Sequence, residues 1–433
     1  MARIKLAYLG GGSTRAAGTL ASFMHQGNSF DGSEVVLIDL NAARLDLIQR
    51  LARRMADHAG LDITISATTD RRAGLEDCTA LLSSFRPGGF EARVLDERIP
   101  VKHGVIGQET QGPGGFFMAL RSIAVLQQVV RDIADVCPDI RIFNYTNPVN
   151  IVAQALTTYT DIPTVSLCEG PWDFPEYVAE AAGLDPARLD VTMSGINHNC
   201  WSTEHTYGGE DLIPHLRNGL EARSCDPALD EDAKRVLRLA VEMECVPSYY
   251  FKYYYFRDEI LRRQQGEPRC RAEVILAEVP GYWEHYGEQA LADAPALDPA
   301  RSRGGIHELE LAIDAMAAYF NDARAVLPVN LPNKGSALPG FDEDLVVEVP
   351  TVVDGSGFAA IPQPRLPHRV VGLVHTLAEH QMLAAHAAWE GNAEDGVRAL
   401  AAHPLVPSLP VARELYAEMA QAHAQYLPDR LLP

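Results

Sequence analysis

Apolar runs alternate with segments of helical spacing over about the first 170 residues of the chain. An apolar run at 4–9 leads into three glycines, residues 13–26 have helical spacing, and a second apolar run at 34–39 ends in an acid. Further strands are predicted at 63–67, 80–84, 140–144 and 164–167, and helices at 116–137 and 149–158. Strands that alternate with helices indicate an α/β fold with a doubly wound parallel sheet.

The pattern changes near residue 195, beyond which long helical segments dominate. Helices are predicted at 231–245, 257–277, 305–323, 369–389, 393–402 and 410–425, and strands at 325–331 and 345–353. The polar, turn-rich stretch 203–230 is interpreted as an insertion or a lid. Because 433 residues exceed one average domain, we predict a Rossmann-like domain over 1–195 and a mostly helical α+β domain over 196–433.

Charge and hydropathy limit the classes of partner that the chain is expected to bind. With 58 acidic and 37 basic residues the formal net charge is −21, which argues against nucleic acid or an anionic membrane as a partner. It does not exclude a locally basic pocket for an anionic small molecule. No apolar run has the roughly 18–20 residues of a membrane helix, and the first one enters glycines, so we expect a strand there rather than a signal peptide. Seven scattered cysteines without CxxC spacing suit a reduced, cytoplasmic chain.

A glycine-rich loop spans residues 10–15, directly after the first strand. It has Arg15 where the full dinucleotide fingerprint has its third glycine. Because the loop opens a helix, amides around Gly10, Gly12 and Ser13 are candidates to bind a pyrophosphate. Asp39 ends the second strand, where a carboxylate binds the ribose diol of adenosine and repels a 2′-phosphate. The pattern therefore favours NAD over NADP, the alternative being a plain glycine turn.

Cys168 and His198 are candidate metal ligands. Cys168 follows the strand at 164–167, and His198 lies in a loop rich in glycine and asparagine where the two predicted halves meet. A thiolate and an imidazole suit a divalent transition metal whose remaining positions are filled by oxygen ligands. Cys200 is a rival ligand. Glu169, directly after Cys168, is either a general acid with a pKa raised by burial or a carboxylate that faces solvent.

The segment 246–256 contains five tyrosines within seven positions. A phenol near a metal or a lysine can have a pKa low enough to act as a base, and most of the five are expected to line a cleft between domains. Two further loops follow predicted strands, one with Arg86 and Arg93 and one with Asn147. A glycine-rich loop at 107–117 would let the backbone approach a ligand closely.

Taken in order, these segments resemble glycoside hydrolase family 4, the NAD- and manganese-dependent glycosidases that depart from the usual pair of catalytic carboxylates. The resemblance covers the chain from the first strand to about residue 350. The matching segments are 9–13, 84–89, 93–100, 104–123, 144–152, Cys168, 195–198, 247–254, 329–335 and 346–350.

The resemblance implies a fold similar to that of lactate and malate dehydrogenases, bound NAD, Mn²⁺ or another divalent transition metal, and a homodimer or homotetramer. It also implies a redox-assisted elimination, in which NAD⁺ takes a hydride from C3 of a sugar and the metal polarises the resulting ketone. A base then removes the C2 proton, the C1 group leaves, water adds, and the hydride returns to C3. The substrate implied by the resemblance is a small phosphorylated sugar, a sugar 6-phosphate.

The resemblance assigns roles to single residues. It implies that Cys168 and His198 hold the metal and that Tyr250 is the base, with Tyr249 and Tyr253 as weaker alternatives. Glu169 would be the general acid. The remaining candidates contact cofactor or substrate: Gly10, Gly12, Ser13, Asp39 and Arg86 for NAD, and Arg93, Asn147, Asn197 and Arg303 for the sugar and its phosphate.

The linkage of the substrate stays open in the sequence. Segments 91–123 and 303–305 resemble the 6-phospho-β-glucosidase branch, whereas the acid directly after Cys168 resembles the 6-phospho-α branch. We therefore expect hydrolysis of a 6-phosphoglucoside, with an α-linked or non-phosphorylated sugar as the alternative. Two other classes are an NAD-dependent 2-hydroxyacid dehydrogenase, which has no use for Cys168 beside Glu169, and a non-enzymatic NAD-binding sensor.

Overall fold

Six parallel strands form one end of the sheet in the computed structural model, which describes residues 1–303 and 310–433. They lie in the order β3-β2-β1-β4-β5-β6, and each neighbouring pair is parallel. This arrangement confirms the predicted doubly wound sheet, and every bound lies within one residue of its prediction. The strands are β1 Lys5–Leu9, β2 Ser33–Ile38, β3 Ile63–Thr68, β4 Ala80–Ser83, β5 Arg141–Asn144 and β6 Thr164–Ser166.

Seven helices connect and cover these strands: α1 Ala16–His25, α2 Ala42–Ala59, α3 Arg71–Leu75, α4 Gly89–Lys102, α5 Gly112–Val136, α6 Val149–Tyr159 and α7 Gly170–Ala182. The helix α4 was not predicted, because its buried face includes Arg93, Asp96 and Glu97 in place of an apolar stripe. The helix α5 begins inside the glycine-rich loop, four residues before its predicted start at 116.

The sheet continues beyond β6 with antiparallel strands. These are β7 Leu189–Ile196, β8 Asn199–Tyr207, β9 Glu210–Asp211, β10 Ala325–Pro332, β11 Val346–Asp354 and β12 Gly357–Ala360. The strand β10 pairs with β6 and β11, and β11 pairs with β7, so hydrogen bonding runs without a break across residue 195. The strands predicted at 325–331 and 345–353 are confirmed, whereas the division into two domains at 195 stays a prediction.

The remaining helices are α8 Leu212–Arg223, α9 Glu231–Met243, α10 Lys252–Tyr255, α11 Arg257–Gly266, α12 Arg271–Gln289, α13 Glu310–Phe320, α14 His368–Trp389, α15 Ala393–Ala402 and α16 Leu409–Ala422. None of these described helices combines the length and apolar character that a membrane crossing requires. The first residues of the helix predicted over 305–323, and Gly304 and Gly305 of the matching segment, lie outside the described residues.

Two predictions in the second half of the chain are wrong. The stretch 203–230, interpreted as an insertion or a lid, is not a lid: it contains the end of β8, β9 and α8, and Leu212 and Leu216 of α8 are fully buried in a core shared with α7 and α9. The helix predicted over 257–277 is two helices, α11 and α12. Pro268 lies between them, and the residue before a proline is sterically disfavoured in helical conformation.

A buried ion cluster joins α4, α5 and α16. Both nitrogens of the Arg121 fork donate to the Asp96 carboxylate, at 2.9 and 2.6 Å, and Arg121 Nε donates to the carbonyl of Pro87 at 3.3 Å. His423 Nε2 lies 3.0 Å from the same carboxylate, and the three side chains are fully buried. The cluster thus anchors the loop that carries Arg86 to the helices behind it.

Arg121→Leu should lower the free energy of unfolding by about 3–5 kcal/mol, because it leaves the Asp96 carboxylate buried without its cation. Urea denaturation at neutral pH measures the change. The matched control is Arg72→Leu, whose exposed pair with Asp135 should contribute nothing resolvable. Equal stability of the two variants would contradict a structural role for the buried pair.

Candidate active site

The loops after β1, β4, β5 and β6 all leave the sheet at the carboxyl edge of the parallel strands, where ligands bind in doubly wound folds. These loops carry residues 10–15, Arg86, Asn147 and Cys168 in turn. His198 arrives from another direction, in the turn between β7 and β8. Because β7 is joined to β6 through β11 and β10, the turn reaches the same edge.

The nucleotide loop, residues 10–15, is shaped by close backbone contacts. Gly10 has φ 98°, and a Cβ there would stand 2.0 Å from the carbonyl oxygen of Ser84, so only glycine fits. The Gly12 amide donates to Asp39 Oδ2 at 3.1 Å, which fixes the carboxylate at the end of β2. The hydroxyl of Ser13 is buried without a hydrogen-bond partner among the described residues. The loop leads directly into α1, the form of a pyrophosphate-binding turn.

Cys168 and His198 are in contact. Cys168 Sγ lies 3.6 Å from His198 Nε2, and the other ring nitrogen, Nδ1, lies 3.1 Å from Thr110 Oγ1. The backbone of His198 is left-handed, with φ 65°, and its carbonyl accepts a hydrogen bond from Ser248 Oγ at 2.6 Å. Burial lowers the pKa of His198 to about 4, so the ring is neutral at physiological pH, as a metal ligand requires.

The pKa of Cys168 is raised by burial and by the negative charges of Glu348 and Glu169. A thiolate at this position therefore needs a cation beside it. The rival ligand, Cys200, lies on β8 with a pKa raised by burial and by Glu348. The contacts of the His198 ring are with Cys168, Thr110 and Tyr250, so the structure pairs His198 with Cys168.

Buried oxygen atoms without hydrogen-bond partners are concentrated on the elements that meet at this pair. Each is an acceptor, and buried acceptors are nearly always satisfied in folded proteins. A cation or the hydroxyls of a bound sugar would satisfy them. Within the described part of the chain these atoms are Asn147 Oδ1, Asn197 Oδ1, Asn199 Oδ1, Asn330 Oδ1 and Glu348 Oε2.

Glu348 is a functional candidate that the sequence reasoning missed. It is fully buried on β11, and its Oε1 accepts from Asn197 Nδ2 at 2.8 Å and from Asn330 Nδ2 at 2.9 Å. Burial raises the pKa of Glu348 to about 7, although both hydrogen bonds favour the charged form. Segment 346–350, which contains Glu348, is one of the segments that resemble the family. A glutamate within an apolar strand, however, has no periodicity that reveals its role.

Tyr250 stacks on the imidazole of His198, with ring centroids 3.9 Å apart and an angle of 13° between the planes. It lies in a short 3-10 turn, Tyr249–Phe251. Ser248 caps this turn, because its Oγ accepts a hydrogen bond from the Tyr250 amide at 3.2 Å. Because Ser248 also binds the His198 carbonyl, one hydroxyl aligns the two rings. Burial, and next the Cys168 charge, raise the pKa of Tyr250, so the phenolate requires a nearby positive charge.

The neighbouring tyrosines have different partners. The ammonium of Lys252 lies 3.4 Å above the ring of Tyr249 and 5.1 Å from that of Tyr253, and it is held by the buried carboxylate of Asp232 at 2.5 Å. Tyr254 donates to Gln111 at 2.5 Å. Of the tyrosine run, Tyr250 is therefore the residue that contacts the Cys168–His198 pair.

Glu169 is half-buried and does not simply face solvent. Its Oε1 accepts a hydrogen bond from the hydroxyl of Tyr145 at 2.5 Å, and Tyr145 is itself buried. The carboxyl group directly follows Cys168 and precedes the first residue of α7. The structure therefore places an acidic group beside the candidate metal pair.

A cluster of arginines surrounds Glu109, a second residue that the sequence reasoning missed inside the glycine-rich loop. Arg86 Nη2 and Arg93 Nη1 lie 2.6 and 2.9 Å from Glu109 Oε2. Burial alone would raise the pKa of Glu109, but the charges of Arg86, Arg93, Arg15 and Arg303 hold it at about 2. Arg93 Nε also donates to the buried carboxylate of Glu97 at 2.6 Å, so four guanidinium groups face two carboxylates and an excess of positive charge remains, within a chain of net charge −21.

Two cavities adjoin this cluster, and both have Arg93 and Arg271 in their walls. The larger, of about 380 Å³, is also lined by Tyr250, and the smaller, of about 280 Å³, is also lined by Arg303. Arg93 thus belongs to the walls of both the cavity beside the stacked tyrosine and the cavity beside Arg303.

Comparison with known proteins identifies the family of the chain. Residues 5–184 match the family model for the family 4 glycosyl hydrolases, and residues 193–406 match that for the family 4 glycosyl hydrolase C-terminal domain. The chain belongs to family 4 of the glycosyl hydrolases.

Family 4 relatives align with this chain over nearly its whole length. It is 33% identical to a probable 6-phospho-β-glucosidase of Bacillus subtilis, covering 98% of each chain. It is 31% identical to the 6-phospho-β-glucosidase of Escherichia coli, covering 99% of this chain and 97% of the relative. It is 27% identical to a 6-phospho-α-glucosidase of Leptotrichia buccalis, covering 99% of each. The relatives therefore include both linkage types.

Solved structures support the same family 4 fold. A 6-phospho-α-glucosidase from gut microorganisms, in complex with NAD and Mn²⁺, superposes with a TM-score of 0.83 at 25% identity, covering 100% of both chains. A malate dehydrogenase from Plasmodium falciparum superposes with a TM-score of 0.53 at 12% identity, covering 89% of this chain and 100% of its own. The predicted likeness to the dehydrogenase fold is confirmed.

Glu348→Gln should flatten the pH dependence of stability of the metal-free protein. In the wild type the pKa of Glu348 rises from 4.5 to about 7 on folding. The folded state therefore binds more protons than the unfolded state between these values, and the free energy of unfolding falls as pH rises through that window, by up to about 3 kcal/mol. A neutral glutamine escapes this loss. Urea denaturation in the presence of EDTA, from about pH 4.5 to about pH 8, measures the difference.

The control for this experiment is Glu221→Gln, an exposed substitution on α8 that should retain the pH dependence of the wild type. The role assigned to Glu348 is wrong if its glutamine variant loses stability with rising pH as steeply as the control.

Proposed function

We propose that this protein is a glycosidase that hydrolyses 6-phosphoglucosides with bound NAD and a divalent metal, for which Mn²⁺ is the first candidate. The observation that carries the proposal is the contact between Cys168 and His198, with Tyr250 stacked on the same imidazole. A thiol, a neutral imidazole and a phenol at the carboxyl edge of a nucleotide-binding sheet provide two metal ligands and a base.

The residues around Cys168 and His198 fit a divalent metal. No cluster of three or more His, Cys, Asp or Glu side chains that could hold an ion occurs in residues 1–303 and 310–433, so the protein offers two strong ligands and leaves positions for oxygen atoms. Those positions suit two hydroxyls of a bound sugar, which the unpartnered amide oxygens of Asn147 and Asn197 would hold by hydrogen bonds. A metal that accepts oxygen ligands, such as Mn²⁺, suits this mixed set.

The nucleotide loop and Asp39 fit NAD. The loop has the backbone form that binds a pyrophosphate, and the Asp39 carboxylate, held by the Gly12 amide, is placed to accept from the two hydroxyls of an adenosine ribose. Leu40 is 95% exposed, an apolar surface next to Asp39 that an adenine ring would cover. The family 4 structure that contains NAD supports the same assignment.

The arginine cluster supports a phosphorylated substrate. Guanidinium groups bind phosphate through paired N–H donors, and Arg93 and Arg303 both line the smaller cavity. Arg86, in the loop after β4, is assigned to the cofactor side. Relatives named as 6-phosphoglucosidases support the choice of a sugar 6-phosphate.

Bound NAD⁺ and metal supply reversible hydride transfer at C3 and Lewis-acid polarisation of the adjacent carbonyl. The residues of the chain then act on the protons. Tyr250 removes the C2 proton, which the neighbouring ketone acidifies, and Glu169 donates a proton to the departing C1 oxygen. Asn147 and Asn197 hydrogen-bond the sugar hydroxyls through their unpartnered oxygens.

The linkage is proposed to be β. The relatives with 6-phospho-β-glucosidase names are 31–33% identical to this chain, against 27% for the 6-phospho-α-glucosidase. Glu169 beside Cys168 favours the α-linkage instead, so α-linked substrates belong in the test.

The decisive test is release of p-nitrophenol from the α- and β-anomers of p-nitrophenyl 6-phosphoglucoside and from their non-phosphorylated counterparts. We expect release from the phosphorylated β-anomer only when NAD⁺ and Mn²⁺ are both present. Activity that survives the omission of both would contradict the mechanism. Steady formation of NADH from a 2-hydroxy acid without metal would identify a dehydrogenase instead.

Tyr250→Phe should abolish exchange of the sugar C2 proton with solvent deuterium and lower kcat by about 10²–10⁴-fold, the usual contribution of a positioned base. NMR of the sugar in D₂O measures the exchange. The matched control is Tyr255→Phe, in the same tyrosine run but packed against Trp201, which should retain both exchange and turnover. Retained exchange in Tyr250→Phe would exclude Tyr250 as the base.

A further inference from the structure

Tyr286, on α12, links the nucleotide loop to the arginine cluster. Its hydroxyl donates to the carbonyl oxygen of Thr14 at 2.7 Å and accepts from the backbone amide of Arg303 at 3.1 Å. Thr14 lies in the nucleotide loop, and Arg303 lines the smaller cavity. We propose that Tyr286 is a positioning residue that couples occupancy of the nucleotide loop to the placement of Arg303, an inference that rests on the proposed function.

The hydroxyl of Tyr286 is held rigidly. The side chain is fully buried, and its ring packs edge-on against Trp283 with centroids 5.8 Å apart. Since a buried ring in a packed core has few rotamers available, its hydroxyl is a fixed point between its two partners. Because both hydrogen bonds meet at one oxygen atom, the Thr14 carbonyl and the Arg303 amide are held in one fixed relation, and ordering of the first constrains the second.

The side chain of Arg303 is oriented by a second contact. Its guanidinium lies 4.6 Å from the centroid of the Phe90 ring, and that of Arg86 lies 5.6 Å from the same ring. Tyr286 thus fixes the backbone of Arg303 while Phe90 supports its guanidinium. Together they direct Arg303 toward Glu109, whose charge Arg303 helps to stabilise.

The nucleotide loop has a second connection to the same cluster. Arg15 directly follows Thr14, and its charge also acts on Glu109. When a pyrophosphate orders this loop, the Thr14 carbonyl and the Arg15 side chain are ordered with it. NAD⁺ binding should therefore strengthen binding of a sugar phosphate at Arg303, and by thermodynamic reciprocity the sugar phosphate should strengthen binding of NAD⁺.

Tyr286→Phe tests this coupling, since it removes both hydrogen bonds and retains the ring. The affinity of glucose 6-phosphate is measured by calorimetry with and without saturating NAD⁺, at constant Mn²⁺. We expect NAD⁺ to increase the affinity in the wild type and the variant to lose about five- to thirtyfold of that increase. In turnover, KM for the 6-phosphoglucoside should rise while kcat stays within a few-fold.

The matched control is Tyr416→Phe. Tyr416 is equally buried, and its hydroxyl also donates to a backbone carbonyl, that of Leu431 at 2.8 Å, in a different core. Tyr416→Phe should have a melting temperature similar to that of Tyr286→Phe but keep the wild-type coupling. The comparison therefore separates a loss of coupling from a loss of stability. In an Arg303→Met background, Tyr286→Phe should weaken glucose 6-phosphate binding no further, because the coupled residue is gone.

These measurements distinguish a failure of the role of Tyr286 from a failure of the proposed function. If glucose 6-phosphate binds but Tyr286→Phe retains the wild-type coupling, the role of Tyr286 is wrong and the proposed function stands. A further loss in the Arg303→Met background also contradicts coupling through Arg303. If glucose 6-phosphate fails to bind the wild type with NAD⁺ and Mn²⁺ present, the proposed phosphorylated substrate is wrong. The coupling through Tyr286 is then wrong as well.

Discussion

The site depends on uncompensated negative and acceptor atoms buried around the Cys168–His198 pair. Folding places a carboxylate, Glu348, and several amide oxygens on converging strands without enough hydrogen-bond donors to satisfy them. Burial raises the pKa of both Cys168 and Glu348, and the negative charges of Glu348 and Glu169 raise that of Cys168 further. The same electrostatic deficit creates affinity for a divalent ion and for hydroxyl donors. A chain that satisfied these atoms internally would be more stable and would have no such site.

The change from parallel to antiparallel strands produces this convergence. Cys168 follows the last parallel strand, β6, whereas His198 lies in the β7–β8 turn, and the two strands are not neighbours. They are joined by β10 and β11, where Asn330 is paired with Ser166 on one side and with Glu348 on the other. The strands β10 and β11, which come late in the chain, therefore place Asn330 and Glu348 at the site and also set the distance between β6 and β7.

The arginine cluster around Glu109 supplies positive charge close to the same site, and the Glu109 charge also acts on His198 and Tyr250. The Glu109 carboxylate neutralises part of an arginine cluster and keeps Arg86 and Arg93 ordered. Desolvating several guanidinium groups together would be costly without it. The result is a basic pocket within a strongly acidic protein, which favours a small anion that can enter over an extended polyanion that cannot.

Sequence periodicity was sufficient wherever burial followed a simple pattern. The six parallel strands, the nucleotide loop and the carboxylate of Asp39 are local features, since apolar runs, glycines and a terminal acid are contiguous in the chain. Periodicity failed for α4, whose buried face is charged, and for the lid expected at 203–230, where turns and polar residues conceal a packed helix. In both cases tertiary partners decide what is buried.

The sequence by itself determined the fold class, the family resemblance and the residue types available for chemistry. Only the tertiary structure decided which of them meet. It paired His198 with Cys168, selected Tyr250 from five tyrosines by stacking it on that imidazole, and brought Glu109 and Glu348 into the site. The physical reason is that these contacts join residues far apart in the chain, whose distances are set by strand pairing and not by local conformational preference.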